Sequence, residues 1–384
     1  MADIADPICT ICAVRLYDWL PEYTPEEQDP LHWHPHSWRE SVLALDGPTW
    51  SYDEPGPKSM AVPSDQVTIY AARATLRSRE VSLIPIGRSV SLQLENLPGQ
   101  HESHDPVSGK RWYLGIHSAC EKIARRVMQS PQAHIRTIGD LWMTLERRCV
   151  KSAWDATIFP PYLPKLPDSR PGEQIKLGLL RYYIPRCAIY TDEGCLDDPG
   201  EDWWDYDPLS IPRLTTVLLS NLEQLNPSTT SSGQIEHHID SLPPEIKDRI
   251  ITDLVHQNLS LNCEYSMPQY LWKQALLRVP FLWDIDGEVI EEKIQEAKQG
   301  GFEWNWEKIT RQLLTEVTVV DEEDEDEPVT WNYARVGLIV PPGMCNRRRI
   351  WQILIEMYPN DVDMVHDMDE TYGSDSRVLV GYGA

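Results

Sequence analysis

Four residues in the N-terminal third of the chain have the types and the spacing of metal ligands. Cys9 and Cys12 form a Cys-x-x-Cys pair, and His117 and Cys120 form a His-x-x-Cys pair. Each spacing can direct two donor atoms at one ion, and three thiolates with one imidazole make a complete tetrahedral set for zinc. We therefore interpret Cys9, Cys12, His117 and Cys120 as a structural zinc site.

The sequence is also compatible with roles other than metal binding for these four residues. Residues 13–116 separate the two pairs, and compact zinc modules close far shorter loops, so the intervening segment has to fold back by itself. Without a metal, the cysteines would be ordinary buried thiols and His117 would cap a helix. Cys120 beside His117 also offers a thiol nucleophile with a base, although no third group is visible.

Further catalytic motifs are missing from the sequence. It contains no phosphate-binding Gly loop and no nucleophile elbow. His101-Glu102-Ser103-His104 has the wrong spacing for two metal ligands on one helical face. We therefore predict that the chain is not an enzyme, and no residue is assigned a catalytic role.

Strands and helices of an α+β fold are predicted around the two pairs. Apolar and polar residues alternate in pieces over residues 67–97, most clearly in Ser89 to Leu94, and residues 111–116 read as another strand. A helix is expected to open at His117 and to run through Met128. Apolar periodicity predicts further helices over residues 138–150, near 213–225, and over 289–298, 304–315 and 347–357, with a strand over 331–340.

The densest pattern of the chain lies in residues 241–286. Its first half is a short amphipathic helix whose apolar residues recur four apart, with one more beside them: Leu242, Ile246, Ile250, Leu254 and Ile251. Pro243 and Pro244 suit the first helical turn, and Glu245 favours the positive end of the helix dipole. A second helix follows from Tyr270 and is expected to stop before Pro280.

This stretch resembles the F-box of divergent F-box domain proteins from filamentous ascomycete fungi. The resemblance rests on Leu242-Pro243-Pro244-Glu245-Ile246, on Leu271-Trp272-Lys273, and on the segment Pro280-Phe281-Leu282-Trp283-Asp284. Two later pieces are similar to tails of the same fungal chains: Trp304-Asn305-Trp306-Glu307 and Asn346-Arg347-Arg348-Arg349-Ile350-Trp351. Those chains also resemble this one in an N-terminal Cys-x-x-Cys and a later His-x-x-Cys, although Ala13 and Ile116 replace their usual glycine and aromatic residue.

The resemblance implies a substrate-receptor subunit of a Skp-cullin-F-box ubiquitin ligase, which acts through protein-protein interaction. The partners would be the Skp adaptor and an unidentified protein substrate. Adaptor binding would use the following residues of the amphipathic helix: Leu242, Pro243, Pro244, Glu245, Ile246, Ile250, Ile251 and Leu254. Two alternatives remain open, namely a non-catalytic scaffold in which a degenerate F-box has become a packing element, and a zinc-dependent protein.

Composition shifts along the chain indicate five regions. These are residues 1–130 with the two ligand pairs, a mixed region 131–225, a linker 226–239, the F-box-like module 240–290, and a mostly helical C-terminal region 291–384 with an acidic loop 321–327. The predicted architecture is thus a mixed N-terminal region with short strands and helices, followed by helical segments.

Charge and hydropathy narrow the choice of partners. The 384 residues carry a formal net charge of −25, which opposes a phosphate backbone and argues against nucleic acid as a partner. No apolar run reaches the length of a membrane span, and the N-terminus is acidic where a signal peptide has basic residues. We therefore expect no membrane partner and a cytoplasmic or nuclear location.

Overall fold

The structure is a computed structural model in which two compact units can be described. The described residues are 9–12, 14, 16, 37–47, 61–77, 80–85, 114–149, 206–225, 233–256, 259–315, 333–355 and 357. Unit 1 comprises Met1–Leu209, Val320–Thr330 and Asn346–Ala384, and unit 2 comprises Ser210–Val319 and Trp331–Cys345. Strands and helices are both present, so the predicted α+β class is confirmed.

A four-stranded antiparallel sheet organises unit 1. Its strands are β1 (Val42–Asp46), β2 (Thr68–Arg77), β3 (Glu80–Pro85) and β4 (Leu114–His117), in the order β3-β2-β1-β4. The apolar run of β1 suits an interior strand, and Val42 and Leu45 are buried there. The strands predicted within residues 67–97 are confirmed for β2 and β3, whereas Ser89 to Leu94 lies outside the described residues.

Two α-helices of unit 1 follow the last strand of the sheet. Helix α1 (Ser118–Val127) follows β4 directly and buries one apolar face, and α2 (Ile138–Cys149) starts at a reciprocal cap. In that cap Asp140 N donates to Thr137 Oγ1 at 3.1 Å, and Thr137 N donates to Asp140 Oδ2 at 2.9 Å. A Cβ on Gly139 would lie 1.8 Å from the Val62 carbonyl oxygen, so this close approach requires glycine.

Unit 2 is helical in the part of the chain that is described. Its helices are α3 (Leu214–Leu219), α4 (Gly233–Asp240), α5 (Pro244–His256), α6 (Gln269–Leu277), α7 (Gly287–Gly300) and α8 (Trp306–Leu314). Helix α6 packs against both α5 and α8. Leu271, Trp272, Ala275 and Leu276 of α6 are fully buried, so this helix forms the centre of the core.

Side-chain caps set the limits of two helices in unit 2. The Asp286 side chain accepts a hydrogen bond from Glu288 N at the start of α7, and Gly301 ends this helix at a φ of 65°. The Asn305 side chain accepts from Lys308 N at 3.0 Å at the start of α8. The helices predicted over residues 289–298 and 304–315 are thereby confirmed, with slightly different ends.

The strand predicted over residues 331–340 is wrong. Tyr333–Val336 instead form a 3₁₀ helix, and Gly337 at a φ of 71° reverses the chain behind it. The buried Tyr333 hydroxyl donates to the Leu313 carbonyl at 3.2 Å, and Gln312 Nε2 donates to the Val336 carbonyl at 2.7 Å. These side-chain bonds to α8 take the place of a strand ladder.

Three other boundaries differ from those predicted. Helix α3 ends at Leu219 rather than near residue 225. The Asn221 side chain caps this end, because its Nδ2 donates to the Val217 and Leu218 carbonyls. Residues 233–239, predicted as the end of a linker, belong to helix α4. Helix α9 (Pro342–Ile355) begins five residues before Arg347, with a proline at its first position. The acidic segment 321–327 lies outside the described residues.

Candidate metal centre

A turn over residues 10–12 presents the first pair of cysteines. Cys9 N donates to the Val14 carbonyl at 2.8 Å, which closes the turn. Thr10 N and Thr10 Oγ1 both donate to the Gly115 carbonyl, at 3.0 and 3.2 Å, and so attach the turn to β4. The segment is fixed by buried residues on both sides of Cys12, among them Ile11, Val14 and Leu16.

The junction between β4 and α1 presents the second pair. His117 is the last residue of β4, where it pairs with Val42 of β1, and it is also the N-cap of α1. Cys120 is the third residue of that helix, so the start of α1 directs its thiol to the same side as the imidazole. Since the cysteine turn is bonded to Gly115 in β4, the sheet itself closes the gap of residues 13–116.

The four predicted ligands come together in a compact, buried cluster. The donor atoms of Cys9, Cys12, His117 and Cys120 all lie within 4.8 Å of one another, and each residue is 0% exposed. Cys12 Sγ lies 3.4 Å from His117 Nδ1. A tetrahedral ion with metal–sulfur bonds of about 2.3 Å needs donor separations of ~3.8 Å, which small side-chain rotations can supply here. These residues could therefore hold a metal ion.

Mutual charges shift the pKa values within the cluster. Burial by itself raises the pKa of the Cys12 thiol, yet hydrogen bonds from Cys120 and Cys9 and the charge of His117 bring it well below its usual value. Burial by itself lowers the pKa of His117, but the negative charge of Cys12 and Cys9 raises it to about 10. Burial, together with its bonds to Cys12 and Cys9, raises the pKa of Cys120. A metal ion that enters must therefore displace protons.

A buried arginine from α9 contacts the cluster, and the sequence patterns did not predict it. Arg349 is fully buried, and its Nη1 donates to the Cys12 carbonyl at 2.7 Å. Its Nη2 donates to Asn346 Oδ1 at 3.1 Å. The edge of the Trp38 ring faces His117, with ring centroids 4.6 Å apart. The available signal was the apolar run Ile350 to Leu354 beside the arginines, which marks a buried helix.

The predicted adaptor-binding residues divide into an exposed half and a buried half. Pro243, Pro244, Glu245 and Ile246 are exposed, and Ile246 has 45% of its surface accessible. Leu242 and Ile250 are half-buried. Ile251 and Leu254 are buried at 1% and 7%, so these two predicted adaptor-binding residues are covered within unit 2. Because α5 packs against α6, its C-terminal half belongs to the core of unit 2.

Polar contacts hold the exposed start of α5 in place. Ile246 N and Lys247 N donate to the Pro243 carbonyl, and Lys247 Nζ donates to the Asp240 carbonyl at 2.8 Å. Asp248 forms an ion pair with Arg278 at 2.6 Å, directly after the end of α6. The N-terminal half of α5 is thus ordered while its apolar side chain at Ile246 faces solvent.

A buried ion pair fixes the connection between α5 and α6. Glu307 is fully buried, and Arg311 Nε donates to its Oε1 at 2.8 Å. Its carboxylate also accepts from Glu264 N at 2.9 Å and from Tyr265 N at 3.0 Å. Tyr265 has a φ of 51°, so this bond holds a left-handed residue in the connection.

No protein-family model, curated protein or solved structure matches this chain. Within the described residues, no helix combines the length and the apolar character that a membrane crossing needs. Across the same residues, one group of three or more His, Cys, Asp or Glu side chains is arranged so that it could hold a metal ion. This group is the cluster of Cys9, Cys12, His117 and Cys120.

Proposed function

We propose that this chain is a non-catalytic interaction protein that acts as a substrate receptor of a Skp-cullin-F-box ubiquitin ligase. The observation that carries the proposal is the exposed, ordered start of α5, where Ile246 presents an apolar side chain to solvent at 45% exposure. The resemblance assigns adaptor binding to this position. An anchored helix with an exposed apolar residue is suited to docking, because little order is lost on binding.

The proposed docking surface consists of Pro243, Pro244, Glu245 and Ile246, with Leu242 and Ile250 at its edge. Ile251 and Leu254 support this surface from beneath rather than contact the adaptor, since both are buried. A surface of this size is small for a stable interface, and the adaptor must therefore also contact residues outside α5.

A second candidate function is a scaffold in which the F-box-like helices serve only as packing elements. The burial of Ile251, Leu254 and Val255 favours it, because half of the apolar stripe already belongs to the core of unit 2. The two candidates differ in one observable property. A receptor binds the purified adaptor, and a scaffold does not.

We further propose that the metal of unit 1 is zinc and that its role is structural. Three sulfurs and one nitrogen are the donors that zinc prefers, and all four positions are filled by protein. Because every ligand residue is 0% exposed, substrate has no route to an open coordination position. This arrangement argues against a catalytic zinc and favours an ion that stabilises the fold.

Two measurements on the purified full-length chain test these proposals separately. Size-exclusion chromatography with purified Skp adaptor should give one complex peak, and separate elution at micromolar concentrations would exclude the receptor function. Elemental analysis should give close to one zinc ion per chain. A fully folded chain without metal would exclude the zinc centre and leave the docking proposal untouched.

A further inference from the structure

The charge of the proposed metal centre is not balanced by its own ligands. Three thiolates contribute three negative charges and a divalent ion two positive ones, so a neutral His117 leaves one net negative charge. All four ligand residues are 0% exposed. An isolated charge in such a place is strongly unfavourable unless an opposite charge lies near it.

Arg349 supplies a positive charge at that place. A guanidinium stays protonated in proteins, and this one is fully buried in contact with the backbone of a ligand residue, through Nη1 to the Cys12 carbonyl at 2.7 Å. Two of its acceptors, the Cys12 carbonyl and the Asn346 amide oxygen, are neutral groups. These two bonds position the guanidinium beside the cluster.

The contacts of Arg349 distinguish it from the other fully buried arginine of α9. The neighbouring arginine has a different role, since Arg347 Nε and Nη2 donate to the Pro208 and Leu209 carbonyls at 2.6 and 3.0 Å. Two equally buried arginines of one helix therefore contact different parts of unit 1: Arg347 contacts residues 208–209, and Arg349 contacts the cluster.

We propose that Arg349 is the counter-charge of the metal centre and a positioning residue for its ligand Cys12. Its guanidinium balances the single negative charge of a divalent ion with three thiolates and one imidazole. A monovalent ion would leave the cluster with two negative charges, and Arg349 would balance only one of them. The charge balance therefore favours a divalent ion. The inference rests on the zinc centre proposed above and adds the residue that stabilises its thiolate-rich ligand set.

Substitutions that separate charge from hydrogen bonding test this role. Arg349→Lys keeps the charge, whereas Arg349→Gln keeps a donor and removes the charge. Zinc affinity of the full-length chain is measured by competition with a chromophoric chelator, and the Co²⁺-substituted spectrum reports the ligand set. We expect Arg349→Gln to lower zinc affinity by about 10-fold to 100-fold, the usual range for residues behind the ligands, and Arg349→Lys to retain most of it.

Arg347→Gln is the matched control, because it removes an equally buried charge from the same helix. It should lower the melting temperature but leave zinc affinity unchanged. Equal losses in Arg349→Gln and Arg349→Lys, or in Arg349→Gln and Arg347→Gln, would overturn the proposal. If Arg349→Gln fails to fold with excess zinc, Arg349→Lys decides: retained affinity supports the role, and a loss as large as that of Cys12→Ser overturns it.

The wild type separates this inference from the zinc proposal. If the wild-type chain binds no zinc, both the proposed metal centre and the proposed role of Arg349 are excluded. If the wild-type chain binds zinc and Arg349→Gln binds it with the same affinity, only the proposed role of Arg349 is excluded.

Discussion

At the residue scale, the candidate metal centre depends on where four side chains leave the backbone. His117 occupies the end of a strand and the N-cap of a helix at once, so the imidazole and the Cys120 thiol leave one rigid junction on the same side. The Cys9–Cys12 turn is bonded to Gly115, two residues before that junction. Backbone pairing therefore brings the four side chains together, and such preorganisation favours tight binding.

Removing one ligand tests the assignment at this scale. Cys12→Ser should lose the bound zinc and destabilise unit 1, because metal-binding energy stabilises the folded state. Cys345→Ser is the matched control, since this thiol is also buried but lies outside the cluster. Elemental analysis and thermal melts of both variants check the prediction. Equal zinc content in the two variants would show that Cys12 is not a ligand.

The spacing within each pair predicted the four residues that form the buried cluster, and the long separation between the pairs was not an obstacle. Sequence reasoning could not show that β4 lies against the cysteine turn, because sheet pairing brings distant residues together without a local signal. The sequence did not predict the contact of Arg349 with the cluster for a different reason. Its charge suggests a surface position, and only the burial of residues 343–354 of α9 reverses that expectation.

At the scale of elements, α5 combines an exposed half and a buried half along one short helix. Its C-terminal half is held in the core by Ile251 and Leu254, and its N-terminal half carries the exposed Ile246. Periodicity predicted the helix and its apolar residues from Ile246 onward, since the repeat of four is a local property. Leu242 precedes the helix, which begins at Pro244. Periodicity could not tell which part of the stripe is covered, because that depends on α6.

The error at residues 331–340 has a similar origin. An alternating apolar pattern predicts a strand only where another strand is available as a partner. Here the hydroxyl of the buried Tyr333 donates to the Leu313 carbonyl of α8, and Gln312 Nε2 donates to the Val336 carbonyl. Tertiary contacts thus decided the local conformation.

The connection between α5 and α6 should depend on the buried ion pair. Glu307→Ala should lower the free energy of unfolding by about 3 to 5 kcal/mol, because it leaves Arg311 buried without its partner and frees the Glu264 and Tyr265 amides. Glu292→Ala, an exposed substitution in α7, should change it by less than ~0.5 kcal/mol. Urea unfolding of both variants measures the difference, and similar values would contradict the assigned role.

At the scale of the whole molecule, the two proposed activities lie in different units. The metal ligands and Arg349 belong to unit 1, and the docking surface of α5 belongs to unit 2. Since each unit has its own buried residues, the loss of one activity need not abolish the other. The formal charge of −25 is a property of the entire chain and favours solubility rather than a particular fold.

Metal removal should therefore act unevenly on the molecule. A chelator should reduce amide protection in β4 and α1, which hold two ligands, and should leave α6 and α8 protected, because the metal stabilises the unit that binds it. Hydrogen exchange followed by mass spectrometry, with and without chelator, resolves these segments. Protection that falls equally in all four segments would contradict a local metal centre.

Titration calorimetry of the full-length chain with purified Skp adaptor tests the central claim most directly. Ile246→Ala should weaken binding by at least ~1 to 2 kcal/mol, the usual cost at an interface hot spot, and should leave the melting temperature nearly unchanged because Ile246 is 45% exposed. Ile339→Ala makes the same chemical change at a residue that is 68% exposed and lies outside α5, and it should bind like the wild type. A wild-type chain that does not bind the adaptor, or equal affinities for both variants, would contradict the receptor function and favour the scaffold.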